Sequence, residues 1–363
     1  MILGVFTGLT EHGGIQRYGR HAAAVIATLA RSRGEDYRFL GLNDPVGQHE
    51  IEAAGVSFSI TGFARNKVAM TRAVLVCARG VRLAYLNHPN LAPLGLAMRA
   101  LKPTTRYIVS TYGTEVWDPL PRVRAFGLRC ADRVTAIAEF NAAKLAVLQG
   151  IGRDRIAIVA CALDPEFAAP KDAAPPRPRP GEPPIVLTVA RLMSPERGEY
   201  KGIDTVIEAL PEVLAAFPGV RYVVVGDGDD RPRLEHLAQR CGVDERVTFA
   251  GAVDAAALRA FYEACEIFVM PSRTEGFGIV FLEAMALGKP VVGGNHGGTP
   301  EVWADGTAGF LVDHGDAQAL AGRLKLLLGD SDLRARMGAA GRALVASNFS
   351  FDRFRQDFGA LLV

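Results

Sequence analysis

Two glutamates, Glu275 and Glu283, are separated by seven residues around a glycine turn in the segment PSRTEGFGIVFLEAMALGKPVV, residues 271–292. Carboxylates accept hydrogen bonds from hydroxyls, and Gly276 and Gly278, lacking Cβ, let an anion come close to the backbone. The apolar run Ile267, Phe268, Val269, Met270 precedes the turn, and Ile279, Leu282, Met285 and Ala286 follow it at helical spacing. Strand, glycine turn and helix make an anion site. The first helical turn, from Gly278 to Val280, exposes unpaired N–H groups at the positive end of a dipole worth roughly half a charge. A diphosphate fits there, and carboxylates that flank the anion instead of occupying its place suggest a sugar or ribose beside it. Five more residues are placed at or beside the chemistry. Arg191 and Lys201 bracket a polar loop between a strand, 185–189, and an amphipathic helix. His88 follows the strand 81–86 in the string NHPN, at the carboxyl edge where a parallel sheet presents its chemistry. Gly13 and Gly14 lie where the strand 2–7 and its loop run into a helix rich in Ala, Leu and Ile.

The elements that must position these residues alternate. Strands at 38–41, 81–86 and 107–110 are interleaved with helical patterns in the front half, which is the rhythm of a doubly wound α/β sheet. The back half repeats it with strands at 185–189, 222–225, 247–253 and 267–270, and a helix at 317–328. Between the halves, AAPKDAAPPRPRPGEPP at 168–184 is too rich in proline for helix or central strand and marks a semi-rigid linker. Asp227 and Asp229 follow a strand within a glycine turn, so they read as acids near a helix start, not as a metal-binding pair. In the segment 64–80, Arg65, Arg72 and Arg79 recur every seven residues, which on one helix makes a basic stripe joined by Lys67 and followed by Arg82. That stripe is either a solvated face or, with Arg99, Lys102 and Arg106, a surface for anionic head groups or a pyrophosphate-linked acceptor. The final segment carries Phe349, Phe351, Phe354 and Phe358 on the apolar side of a helix.

The string PS-x-x-EGFG-x-V-x-LEAMA-x-G-x-PVV, followed by GG-x-PEVW, resembles the nucleotide-sugar site of the retaining glycosyltransferases of family 4. The resemblance spans nearly all of the back half, but the front half only through Gly13-Gly14, His88 and the strand-helix rhythm. It implies the GT-B fold, two Rossmann-like doubly wound domains facing each other across a cleft. An acceptor-side domain would occupy 1–167 and a donor domain 185–345, with a last helix at about 346–363 packing back on the first. The implied reaction moves a hexosyl unit from a UDP- or GDP-sugar to a hydroxyl acceptor with retention. Arg191 and Lys201 would point at the donor diphosphate, Glu275 would hold sugar hydroxyls, Glu283 the ribose, and His88 the far side of the sugar. Gly276, Phe277, Gly278, Ile279 and Val280 would line the donor, Gly13 and Gly14 would approach the phosphates or acceptor, and Val253 would stand where the loop backbone reads the base. One departure is Ala190, where the family has a glycine before Arg-Leu. No covalent nucleophile, metal or cofactor is implied, since fixed cations serve the leaving group and the departing phosphate takes the acceptor's proton.

At 363 residues and 49% hydrophobic content the chain suffices for two domains. Its net charge of +2 hides a +9 front half, residues 1–180, and a −7 back half. Such a split suggests an anionic acceptor, a lipid-linked oligosaccharide at the inner leaflet of a bacterial membrane, and no nucleic-acid partner. Cys77, Cys130, Cys161, Cys241 and Cys265 are scattered, which suggests neither disulfides nor zinc but buried thiols in a reducing cytoplasm. The opening strand lacks the basic start of a signal peptide, and no apolar run approaches the ~20 residues of a membrane span. A cytoplasmic protein, peripheral at the membrane through charge alone, is therefore expected. Two other readings stay open: a sugar epimerase or phosphorylase of the same fold, and a two-lobed sugar-binding protein.

Overall fold

The computed structural model describes residues 1–11, 13–168, 183–194 and 201–363. They form two compact units, one of Met1–Glu166 with Phe349–Val363 and the other of Phe167–Asn348. Almost all of the proline-rich stretch 168–184, together with Arg197, lies outside the described residues.

In the first unit β1 (Ile2–Phe6) leads through α1 (Gly14–Ser32) to β2 (Tyr37–Gly41) and a hairpin of β3 (Gly47–Ala53) and β4 (Val56–Gly62). The chain continues through α2 (Lys67–Cys77), β5 (Leu83–Leu86), α3 (Ala92–Leu101), β6 (Arg106–Ser110), α4 (Arg122–Arg129), β7 (Arg133–Ala136), α5 (Glu139–Gln149) and β8 (Ile156–Ile158). It leaves through the short α6 (Pro165–Ala168). The sheet has the order β3-β4-β2-β1-β5-β6-β7-β8. Only the β3–β4 pair is antiparallel. β1 and β5 are buried along their whole length, as strands covered by helices on both faces must be. The order reverses at β1, so the carboxyl edges of β1 and β5 flank the crevice where open α/β sheets take ligands.

In the second unit the chain runs through β9 (Ile185–Val189), α7 (Ile203–Ala216), β10 (Arg221–Val225), α8 (Arg231–Arg240), β11 (Val247–Gly251), α9 (Ala255–Ala264) and β12 (Ile267–Met270). It then passes through α10 (Ile279–Ala286), β13 (Val291–Gly294), β14 (Gly309–Val312), α11 (Ala317–Gly329) and α12 (Ser331–Asn348). The six strands are parallel in the order β11-β10-β9-β12-β13-β14, with the reversal between β9 and β12. Its core packs Val186, Val206, Leu210, Val224, Val269 and Leu324 between sheet and helices. The last helix, α13 (Phe351–Gly359), belongs to the first unit, where Phe354 meets Tyr18 edge-on at 4.9 Å and Phe358 meets Tyr85 at 5.1 Å.

Four expectations need correction. The helix read across 64–80 is shorter: Arg65 precedes it in a left-handed turn (φ 67°), Arg79 follows it in a single 3₁₀ turn, and of the three arginines only Arg72 stands on α2. The cause is Asn66, whose side chain accepts a hydrogen bond from Ala69 N–H and starts the helix there. α2 also exposes apolar residues, Val68 at 80% and Val76 at 76%, beside Leu75. Charge is therefore not the whole character of that face. The strand expected at 247–253 ends at Gly251, whose positive φ of 73° turns the chain. All five cysteines are free thiols, but only Cys161 and Cys265 are buried.

Candidate active site

In the second unit the loops after β9 and β12 meet at the switch point. β9 ends at Val189, and the following Arg191 is solvent-exposed. Its loop is braided to the loop after β10: Leu192 N–H donates to Asp227 O at 3.1 Å and Asp230 N–H to Leu192 O at 2.9 Å. Gly226 and Gly228 permit this approach, since a Cβ would lie 1.9 Å from Ala190 O or 2.1 Å from Leu192 O. The carboxylates of Asp227 and Asp229 accept hydrogen bonds from Gly228 and Ser194 N–H. No group of three or more metal-ligating side chains is found among the described residues.

Lys201 is delivered to the same place by Gly202. That glycine has φ 74°, and a Cβ on it would stand 2.3 Å from the Pro271 carbonyl oxygen. Only glycine allows the start of α7 to lie so close to the end of β12. Lys201 Nζ then reaches Glu275 Oε2 at 3.2 Å, with both side chains mostly buried. Beneath them Arg233 ties α8 to α7, pairing with Asp230 at 2.6 Å and Asp204 at 3.5 Å. Burial raises the Asp204 pKa, and the peptide N–H of Thr205 and the charge of Arg233 oppose that rise.

Glu275 is fixed from its backbone too. Gly298 N–H donates to Glu275 O at 2.9 Å, and Gly297 has room for no Cβ against that oxygen. Gly278 caps α10 in the left-handed region (φ 92°) without a side-chain cap, so the first-turn N–H groups near Ile279 and Val280 are offered to a ligand. Gly276 lies in the turn and Phe277 is buried beneath it. Glu283 is only 3% exposed, and its Oε2 accepts the Tyr262 hydroxyl at 2.7 Å. Val253 sits half-buried in the loop between β11 and α9. The structure thus gathers Lys201, Glu275 and the α10 N-terminus, with Arg191 on the adjoining loop after β9.

The first unit has its own switch-point crevice. Gly13, at φ 154° and ψ 165°, holds a conformation essentially confined to glycine and turns the loop after β1 into α1 at Gly14. That loop is anchored by Asp44, which accepts Leu9 and Thr10 N–H at 2.8 Å, while Thr7 N–H donates to Asn87 Oδ1 at 2.8 Å. His88 is therefore held beside the β1 loop. Its Nδ1 accepts Asn90 N–H at 3.1 Å, which leaves the proton of the neutral ring on Nε2. Burial, then the charge of Arg124, lowers its pKa from 6.5 to about 4, so the ring is neutral at physiological pH and offers Nε2–H as a donor.

Sequence reasoning missed three residues. Glu115, in the loop after β6 next to the His88 loop, accepts Tyr112 N–H, and burial raises its pKa. Asn87 adjoins His88 and organises the β1 loop. Asn87 directly follows β5 and Glu115 lies in the loop that follows β6, so both were findable by that position. Tyr262 gave no signal, because only the packing of α9 against α10 brings its hydroxyl to Glu283.

Comparison with known proteins gives three findings. The family model described as glycosyl transferases group 1 matches residues 171–344. A GDP-mannose-dependent alpha-(1-6)-phosphatidylinositol monomannoside mannosyltransferase of Mycobacterium tuberculosis is 36% identical over 278 residues, 72% of this chain and 71% of that protein. Among solved structures, sucrose-phosphate synthase from Thermosynechococcus elongatus superposes with a TM-score of 0.78 at 23% identity, covering 99% of this chain and 98% of the other. HepE of Anabaena, in complex with UDP and glucose, does so with a TM-score of 0.75 at 20% identity, covering 99% and 98%.

Proposed function

This chain belongs to the group 1 glycosyl transferases, has the GT-B fold and is a hexosyltransferase, and from that premise we propose how it works. It transfers a hexosyl unit with retention from a GDP- or UDP-sugar to a hydroxyl of a lipid-linked acceptor, without a metal. The observation that carries this reading is the Lys201–Glu275 pair beside the uncapped N-terminus of α10. Charge grows on the leaving diphosphate as the sugar–phosphate bond breaks, and a fixed ammonium, the Arg191 guanidinium and aligned N–H groups stabilise that charge where it develops. As Lys201 turns to the diphosphate, Glu275 is released to accept hydrogen bonds from sugar hydroxyls and to favour a cationic ring. Glu283 holds the ribose. Phe277 and the first residues of α10 shape the floor, and the loop at Val253 meets the base. No carboxylate takes the role of nucleophile: the departing phosphate removes the acceptor's proton on the face it leaves.

In the first unit, neutral His88 and Glu115 serve as donor and acceptor for sugar hydroxyls, with the Gly13-Gly14 turn giving the substrate backbone contact. Support for the lipid-linked acceptor comes from the named mannosyltransferase and from the α2–α4 layer. Val68, Leu75 and Val76 on α2, Leu101 on α3, and Val123 and Phe126 on α4 are all exposed. Lys67, Arg72, Arg122 and Arg124 are exposed among them. Apolar side chains ringed by cations suit the interface of an anionic leaflet. No helix among the described residues is long and apolar enough to cross a membrane, so the proposed association is peripheral. The test is a panel of GDP-, UDP- and ADP-sugars with a phosphatidylinositol or polyprenyl-diphosphate glycolipid, scored for released diphosphate and for the anomeric configuration of the product. Transfer with retention supports the reading. A strict need for inorganic phosphate, an inverted product, or no transfer to any glycolipid would overturn it.

A further inference from the structure

We propose that Tyr262 is a positioning residue that fixes the Glu283 carboxylate and thereby sets the preference for a ribose over a deoxyribose in the nucleotide. The proposal rests on the reading of Glu283 as the ribose-binding group. Tyr262, on α9, is fully buried, and its hydroxyl donates to Glu283 Oε2 at 2.7 Å and lies 3.4 Å from the Val280 carbonyl oxygen. One phenol thus touches the first turn of α10 and the carboxylate that the helix carries. A hydrogen bond to a carboxylate is among the stronger kinds, and it holds a side chain with three rotatable bonds in one pose.

The tyrosine itself is held. Its ring lies 5.7 Å from Phe268 on β12 and meets Phe167 edge-on at 6.0 Å. Phe167 is gripped in turn by Arg259, whose guanidinium covers the ring at 5.5 Å and donates to the Phe167 carbonyl at 3.1 Å. Arg259 is oriented by Glu263 one turn along α9 at 2.7 Å. The hydroxyl has little freedom to leave Glu283. A site that accepts a hydrogen bond from a substrate hydroxyl discriminates strongly against the analogue lacking it, provided that the acceptor is held in place.

The experiment measures calorimetric dissociation constants for GDP and UDP and for their 2′-deoxy and 3′-deoxy forms. The proteins are wild type, Tyr262→Phe, Glu283→Gln and the double variant, each checked by thermal melting. Wild type should favour a ribonucleotide by about 10-fold or more, and Glu283→Gln should abolish that preference. Tyr262→Phe, which removes one oxygen and keeps the ring, should lose most of the preference, raise the donor KM and leave kcat within about twofold. In the Glu283→Gln background it should have no further effect. A wild-type preference in Tyr262→Phe, or an equal loss of affinity in both backgrounds, overturns the positioning role. A preserved preference in Glu283→Gln overturns the ribose reading itself and is read from a different protein.

Discussion

His88 should not titrate in the range where histidines ordinarily do. Its pKa stands at about 4 instead of 6.5, chiefly because the ring is buried and secondly because Arg124 is nearby. The difference corresponds to roughly 3 kcal/mol in favour of the neutral ring, at about 1.4 kcal/mol per pH unit. The linkage sign follows. A folded-state pKa below the unfolded one means that the unfolded chain binds the proton first as the solution is acidified. The stability held in the neutral ring is therefore fully present above pH 6.5 and is lost as pH falls from about 6.5 towards 4. The assay is an NMR titration of the His88 Cε1–H resonance, assigned by its loss in His88→Gln. Its midpoint should lie below pH 5, and Arg124→Gln should raise it only in part, since burial is the larger cause. A midpoint at 6 or above would refute both the burial argument and the neutral donor assigned to Nε2.

Three further outcomes follow from the geometry. Gly202→Ala places a side chain at φ 74° against the Pro271 carbonyl, so it should destabilise the second unit by about 1–3 kcal/mol and weaken donor binding; an unchanged melt and donor KM would contradict the account of how Lys201 is delivered. Chelators should leave turnover unchanged, whereas strict Mg²⁺ or Mn²⁺ dependence of the chemical step would return Asp227 and Asp229 to consideration as ligands. Sedimentation with anionic vesicles should weaken in high salt, and weaken further when Val68 and Val76 are changed to Ser or when Arg65, Arg72 and Arg79 are changed to Gln. Equal binding to anionic and neutral vesicles, or indifference to both sets of changes, would leave α2 and the turns that flank it as solvated surface.

The turn proposed to take the donor was legible as a strand, glycine turn and helix because its residues are local in sequence. Gly276, Gly278 and Glu275 sit within one turn, and the apolar runs on either side declare strand and helix by period. Lys201 was legible as a loop cation, but its bond to Glu275 depends on Gly202 passing Pro271, a contact between segments 69 residues apart in sequence. The strands of the first unit were only partly visible. β3 and β4 pair as a hairpin in which just three apolar side chains, Ala53, Phe58 and Ile60, are buried along with Gly62, so its apolar pattern is thin. α2 was misjudged for a related reason: a seven-residue spacing of arginines marks a stripe only while the helix lasts, and Asn66 starts it after Arg65. Tyr262 was invisible because a tyrosine in an amphipathic helix looks like any core residue until the facing helix is known.

The central claim is that fixed cations at the switch point of the second unit, not a metal, stabilise the leaving diphosphate. The most direct measurement is the rate of hexosyl transfer, in the presence of chelator, for wild type, Arg191→Ala and Lys201→Ala at saturating donor and equal thermal stability. Removing one such preorganised group lowers kcat by about 100- to 1,000-fold in comparable sites, and each variant should lose at least about 100-fold while retaining the fold. Turnover within a few-fold of wild type in both variants, with chelator still present, would contradict the claim.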